Sequence, residues 1–207
     1  MQIFTKNRLT FIKAFLVLSI LLLFNQVVMA QSGYTEFADK SLVTQNIGMY
    51  TLGGWAIANI ATGAYGWAHS SDDRMYFNQM NLMWNVFNLS IAGFALYSNS
   101  QIDFASMSAD GVLNSHIKTE RILLINSALD LGYIGTGFLL NYFSKSSNKN
   151  QHILRGYGNS LILQGGFLLV FDLVLYQILK TQRLDFVSGL SAFNTPEAIG
   201  LSMSFNF

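Results

Sequence analysis

The chain has 207 residues, of which 51% are hydrophobic and only 11% charged, with 12 basic against 11 acidic side chains. About a quarter of an ordinary soluble domain is charged, so this composition moves the chain out of that class, and a net charge of +1 gives no basic face for nucleic acid. There is no cysteine, which excludes disulfides, thiolate metal sites, lipoprotein acylation and thiol nucleophiles together.

The first element is a leader. Lys6, Arg8 and Lys13 precede an apolar run from Ala14 to Phe24, followed by Val28-Met29-Ala30 and Gln31. A basic start, a short apolar run and modest-sized residues before the cut predict a secretory signal peptide over residues 1–30. An uncleaved first anchor is the alternative. Either way the basic end stays cytoplasmic and Gln31 lies outside, so the chain is expected to be a multi-pass protein of the bacterial inner (cytoplasmic) membrane.

Four further segments approach the ~20 residues that a bilayer core requires. They run from Gln45 to Trp67, Tyr76 to Tyr97, Ile122 to Phe143 and Ile153 to Leu179, with charges gathered in the breaks between them. The expected fold is all-α: a transmembrane four-helix bundle of two helical hairpins over residues 31–183, followed by an extended or interfacial tail over 184–207. Four crossings would leave the C-terminus periplasmic. The inner breaks and outer flanks carry similar numbers of basic residues, so this orientation rests on the leader. The alternating end Leu201-Ser-Met-Ser-Phe-Asn-Phe207 resembles an outer-membrane strand. A barrel, however, needs alternation throughout, whereas Phe167-Leu-Leu-Val-Phe171 is continuously apolar. Between the second and third spans, residues 99–118 mix Ile102, Phe104, Met107, Val112, Leu113 and Ile117 with small polar residues. That mixture predicts a helix lying in the outer interface, over the bundle mouth.

The two halves share a faint repeat. Ile60-Ala-Thr-Gly63 matches Ile134-Gly-Thr-Gly137, Leu96-Tyr97 matches Leu175-Tyr176, and Ile102-Asp-Phe104 matches Leu184-Asp-Phe186. Such halves are common in transporters but also occur without transport.

Each span carries one polar or small-residue face. Asn78, Asn81, Asn85 and Asn88 share about 80° of arc at ~100° per residue, and Asn126, Asp130, Tyr133, Gly137 and Asn141 share a similar one. Asn59 lies on the polar face of the first span, and Gln164 and Asp172 on that of the fourth. Lipid cannot satisfy these groups, so they point into the bundle. Counting outward from a loop centre near Asn148 sets Asp130 level with Gln164 and Asn126 level with Asp172. The same count about Asp72 sets Asn59 level with Asn85. Stacked polar layers are therefore expected near mid-membrane.

Most of these amides read as interhelical glue, at about 1 kcal/mol or less each. The aspartates differ. An ionised carboxylate at mid-membrane costs about 2.5–3.5 kcal/mol, and no Lys or Arg sits at that depth. Asp130 and Asp172 should therefore be neutral, line a wet cavity or hold a cation. The candidate binding residues are Asp130, Asp172, Gln164, Asn126, Asn85 and Asn59. Two functions follow: binding or passage of a small polar solute, proton or cation at this cluster, or a non-catalytic structural or partner subunit whose polar layers only fix helix pairing. Besides the lipid bilayer, the expected partners are a second copy or a membrane protein.

His69 and His152 could meet near the inner surface, but no supporting pattern favours ligation, and His116 beside Lys118 and Glu120 reads as solvated. No metal or cofactor is expected. G-x-S-x-G, H-E-x-x-H and a phosphate loop are all missing from the sequence, so no enzymatic activity is expected.

Met49-Tyr-x-Leu-Gly-Gly-Trp55, Tyr76-Phe-Asn-Gln-Met-Asn81 with Trp84-Asn85, Leu129-Asp-Leu-Gly-Tyr133, and Gln164-Gly-Gly-Phe167 with Phe171-Asp172 together resemble a family of uncharacterised small membrane proteins from Bacteroidota-type Gram-negative bacteria. The resemblance implies a signal peptide and four helices, and no activity.

Overall fold

The structure, a computed structural model, describes the backbone of residues 2–147 and 149–191 and the side-chain surroundings of 33–104, 106–147 and 149–189. Four helices follow one another: α1 (Gln2–His69), α2 (Asp72–Ser100), α3 (Ala109–Ser144) and α4 (Gln151–Ser191), with a short 3-10 turn at Phe104–Ser106. Among the described residues there is no strand.

Local chemistry sets the boundaries. Asp72 and Asp73 open α2, where carboxylates meet the positive end of the helix dipole. The Ser108 hydroxyl caps α3 by accepting from the Gly111 N–H at 3.2 Å. No proline falls within any of the four helices, since the only one in the sequence is Pro196.

The helices pair as two hairpins, α1 on α2 and α3 on α4, joined mainly along a seam between α2 and α4. Glycines bring the backbones together inside each hairpin. A Cβ added to Gly63 would lie 2.9 Å from the Asn78 carbonyl oxygen, and one on Gly137 would lie 2.6 Å from that of Gly158. These two glycines end the matching Ile-x-Thr-Gly stretches, and in both the threonine hydroxyl bonds back to its own helix, Thr62 to Ala58 and Thr136 to Gly132. The repeated residues thus do equivalent packing work.

Two expectations are corrected. Residues 99–118 do not form a separate interfacial helix. After the turn at Phe104–Ser106, residues 109–118 are the first turns of α3, because Val112 packs on Phe37 and Ala38 of α1. The tail expected from residue 184 onward begins as helix, since α4 runs on to Ser191 with Phe186 stacked on Phe37. The rest of that tail, 192–207, lies outside the described residues, as do the side chains of the expected leader.

Burial runs opposite to a water-soluble domain. Among the described residues, thirteen polar or charged ones are buried, against ten apolar ones. Large apolar side chains stand outside, among them Phe94 (73% exposed), Phe87 and Tyr65 (69% each). Among the described residues, α3 and the Gln151–Gly189 part of α4 are long and apolar enough to cross a membrane. The asparagines of α2 keep its mean hydropathy lower.

Candidate functional site

The expected polar residues divide into two groups. The first is a closed amide network between α1, α2 and α4. Gln164 is fully buried, donating to Asn81 Oδ1 at 2.5 Å and accepting from the Trp55 indole N–H at 3.0 Å. Asn81 donates to Asn59 Oδ1 at 2.9 Å and accepts from the Ser160 hydroxyl at 3.1 Å. Asn59 in turn donates to the Trp55 carbonyl, and the Trp55 ring lies flat on Phe167 at 3.9 Å. Asn85, also fully buried, donates back to the Asn81 carbonyl and accepts from Asn88. Each of these residues has a partner inside the protein.

This arrangement corrects the expected layers. Asn59 meets Asn81 rather than Asn85, and Gln164 meets Asn81 and Asn59 rather than Asp130. Counting from a loop fixes depth but not the direction in which a side chain leaves its helix. Asn85 is turned onto its own helix, so Asn81, one turn nearer the loop, reaches across.

The second group is the aspartate pair. Asp130 of α3 and Asp172 of α4 bring their two carboxyls together in one cavity, whereas Gln164, expected opposite Asp130, bonds to Asn81 and Trp55 instead. The depth was close: the Asp130 carbonyl lies beside Gly165, so α3 and α4 hold the expected register there. The two carboxyls nevertheless lean toward one another. Both are buried, Asp130 at 3% and Asp172 at 5% exposure. Two buried carboxyls this close repel one another when both are ionised, and a proton on either one relieves that repulsion.

The pair lines a cavity of about 280 Å³. Its polar wall comprises the two aspartates, Asn126, Asn88, Tyr133 and the Trp84 indole; its apolar wall is built from Phe171 and Leu168 of α4, Leu52 of α1, and Phe87, Ile91 and Leu129. The cavity opens between α2 and α3, which barely touch apart from an edge-to-face contact of Trp84 on Tyr133 at 4.7 Å. Asp130 Oδ2 and Trp84 Nε1 are buried without a hydrogen-bond partner. Of the expected binding residues, Asp130, Asp172 and Asn126 share this cavity; Gln164, Asn59 and Asn85 belong to the amide network.

Sequence reasoning missed a third cluster, at the far end of α3 and α4. His116 is 2% exposed rather than solvated: its Nε2 bonds to the Leu179 carbonyl at 2.9 Å and its Nδ1 to the Ser41 hydroxyl at 2.7 Å. Glu120, one turn on and 3.2 Å away, takes a two-pronged pair from Arg183 at 2.7 and 3.0 Å. Burial lowers the His116 pKa, against the pull of the Leu179 carbonyl and Glu120, while the Glu120 carboxylate raises that of Arg183. The signal available was the i, i+4 spacing of His116 and Glu120, on the face that carries Val112. At the opposite end, His152 faces Asp72 and Asp73 across exposed ion pairs and His69 stacks on Tyr65. Among the described residues no group of three or more acidic or histidine side chains could hold a metal.

Residues 51–173 match the model of DUF6992, a family of unknown function. That stretch contains the whole amide network and the whole carboxyl cavity, but neither His116's partner Ser41 nor Arg183. No curated protein and no solved structure matches the chain.

Proposed function

We propose that this chain, which belongs to the DUF6992 family, is a four-span membrane protein that binds or passes a small polar solute, proton or cation at Asp130 and Asp172. The membrane reading is supported by the apolar exterior and polar interior, since lipid rewards the first and forces the second. α3 and α4 meet the length and polarity of spans. α1 and α2 complete the bundle as the less apolar pair, their asparagines turned inward and their exposed faces set with Ile57, Tyr65, Phe87 and Phe94. On this reading the leader directs the chain to the inner membrane, and four crossings leave its C-terminus in the periplasm.

One observation carries the binding reading. Asp130 keeps an unpartnered oxygen in a cavity that it shares with a second carboxyl, although a buried acceptor without a donor costs about 1–3 kcal/mol. Ionisable groups held inside a bundle at such a cost mark ion and solute paths. The remaining expected residues act as scaffold: Gln164, Asn59 and Asn85 fix the helices against which the cavity is built.

The test is labelling by a hydrophobic carbodiimide at neutral pH of protein purified in detergent, read by mass spectrometry. Asp130 or Asp172 is expected to react, and Asp130→Asn to abolish its adduct. If neither reacts while exposed Asp110 does, the pair is sealed and the binding reading fails. The second reading, a non-catalytic structural or partner subunit, would then stand on the amide network, which needs no ligand.

A further inference from the structure

The walls of the carboxyl cavity select among small solutes, and we infer that it takes an organic monocation, a protonated or quaternary amine carrying an apolar group, admitted sideways between α2 and α3. This inference rests on the proposed carboxyl site and adds the class of its ligand. Charge comes first. Two carboxyls line the cavity and no Lys, Arg or His does, so one positive charge is welcome and an anion is not. Ring faces come second. Trp84, Tyr133 and Phe171 all line the cavity, and aromatic faces attract cations. A hard metal ion would instead ask for about six to eight oxygens around it, and among the described residues no group of three or more acidic or histidine side chains gathers to hold one. Size is the third point. A bare proton needs no cavity, whereas about 280 Å³ holds a small ligand.

The entrance fits the same ligand. Phe87, Ile91 and Leu129 line the cavity and are also 69%, 57% and 51% exposed, so the cavity reaches the outer surface along an apolar path. An amphiphilic cation dissolved in the bilayer would leave its carbon part at that mouth and bring its charge to the carboxyls. A proton on one of the two carboxyls can leave to water as the cation arrives, which keeps the net charge of the site unchanged. The unpartnered Asp130 Oδ2 is the acceptor left to meet its charge.

The probe is benzyltrimethylammonium, with its uncharged carbon isostere neopentylbenzene and sodium chloride as controls, all against the full protein in lipid nanodiscs. Binding is read by equilibrium dialysis, and occupancy by protection of Asp130 and Asp172 from the carbodiimide. Saturable binding of the cation is expected, together with protection. Binding should weaken by roughly tenfold in an Asp130→Asn/Asp172→Asn variant and by about fivefold in Trp84→Leu, each checked for native helicity. Equal binding of neopentylbenzene, unchanged binding in the double asparagine variant, or protection by sodium but not by the organic cation would each overturn the inference. If the carboxyls label normally and the cation neither binds nor protects, the ligand class is wrong and the site stands. If they do not label at all, both fall.

Discussion

Two polar clusters lie within one bundle, and they are satisfied to different degrees. In the amide network, Trp55, Asn59, Asn81, Ser160 and Gln164 each find a partner. In the cavity beside it, Asp130 Oδ2 and Trp84 Nε1 find none. Both clusters consist of polar side chains buried on inward helix faces, and the sequence offers the same signal for each. The difference lies in completion. A network that closes on itself fixes helix pairing and has no valence left for a ligand, while a carboxyl pair that faces a cavity has both an open acceptor and room. Burial of polar residues in a membrane bundle therefore marks structure as readily as function, and the unpaired atoms separate the two.

The largest effect should come from opening the closed network. Gln164→Leu removes the acceptor of the Trp55 indole and one of the two donors to Asn81 Oδ1 while keeping similar volume, so the Trp55 N–H loses its partner and Asn81 Oδ1 keeps only Ser160. The expected loss is about 2 kcal/mol, read as a lower midpoint in denaturation followed by circular dichroism in mixed micelles. A change under about 0.5 kcal/mol would mean that water or a rearranged Asn59 replaces the glutamine, and the contrast between the clusters would weaken.

A smaller effect, outside both clusters, follows pH. His116 has its pKa lowered by burial: the folded state resists a proton that the unfolded chain accepts near the ordinary value of 6.5. The stability contribution is then complete above that value. As pH falls below it the unfolded state binds the proton first and stability drops, levelling once pH passes below the lowered folded-state value. Nε2 donates to Leu179 and Nδ1 accepts from Ser41 in the neutral ring, so the neutral form is fully used, and Glu120 with its Arg183 partner is the charged pair facing it. His116→Gln should flatten the acid limb of the stability profile where pH falls below the ordinary histidine value of 6.5. A Gln variant with the same slope would place the titration elsewhere.

Much of the helical organisation was legible in the sequence, and the reasons are local. Inward arcs such as Asn78-Asn81-Asn85-Asn88 and Asn126-Asp130-Tyr133 follow from helical period, and the polar breaks at residues 69–74 and 144–151 mark where hairpins turn. Depth was legible too, because antiparallel helices joined by a short loop keep equal counts: Gly165 does lie beside Asp130. Partner choice was not. Asn81 and Asn85 share an arc and differ by one turn, and which of them crosses to Asn59 depends on a side-chain rotation that Asn85 spends on the Asn81 carbonyl. The His116–Glu120–Arg183 cluster was missed for another reason. Charges near a span end are usually solvated, and only the extension of α3 and α4 beyond the expected spans, under Phe37 and Phe186, buries these.

The smallest expected effect is the sharpest test of the comparison. Asp130→Asn/Asp172→Asn replaces two carboxyls by amides of the same shape, which can still donate and accept across the α3–α4 interface. If the pair contributes only a hydrogen bond, amides supply it, and stability should shift by less than about 0.5 kcal/mol. Carbodiimide labelling at these two positions should disappear in the same protein, and cation binding should weaken by roughly tenfold. Replacement by leucine cannot make this distinction, since it removes the hydrogen bond along with the charge. A double asparagine variant as damaged as Gln164→Leu would show that the carboxyls hold the helices together just as the amide network does, and the two clusters would then share one structural role.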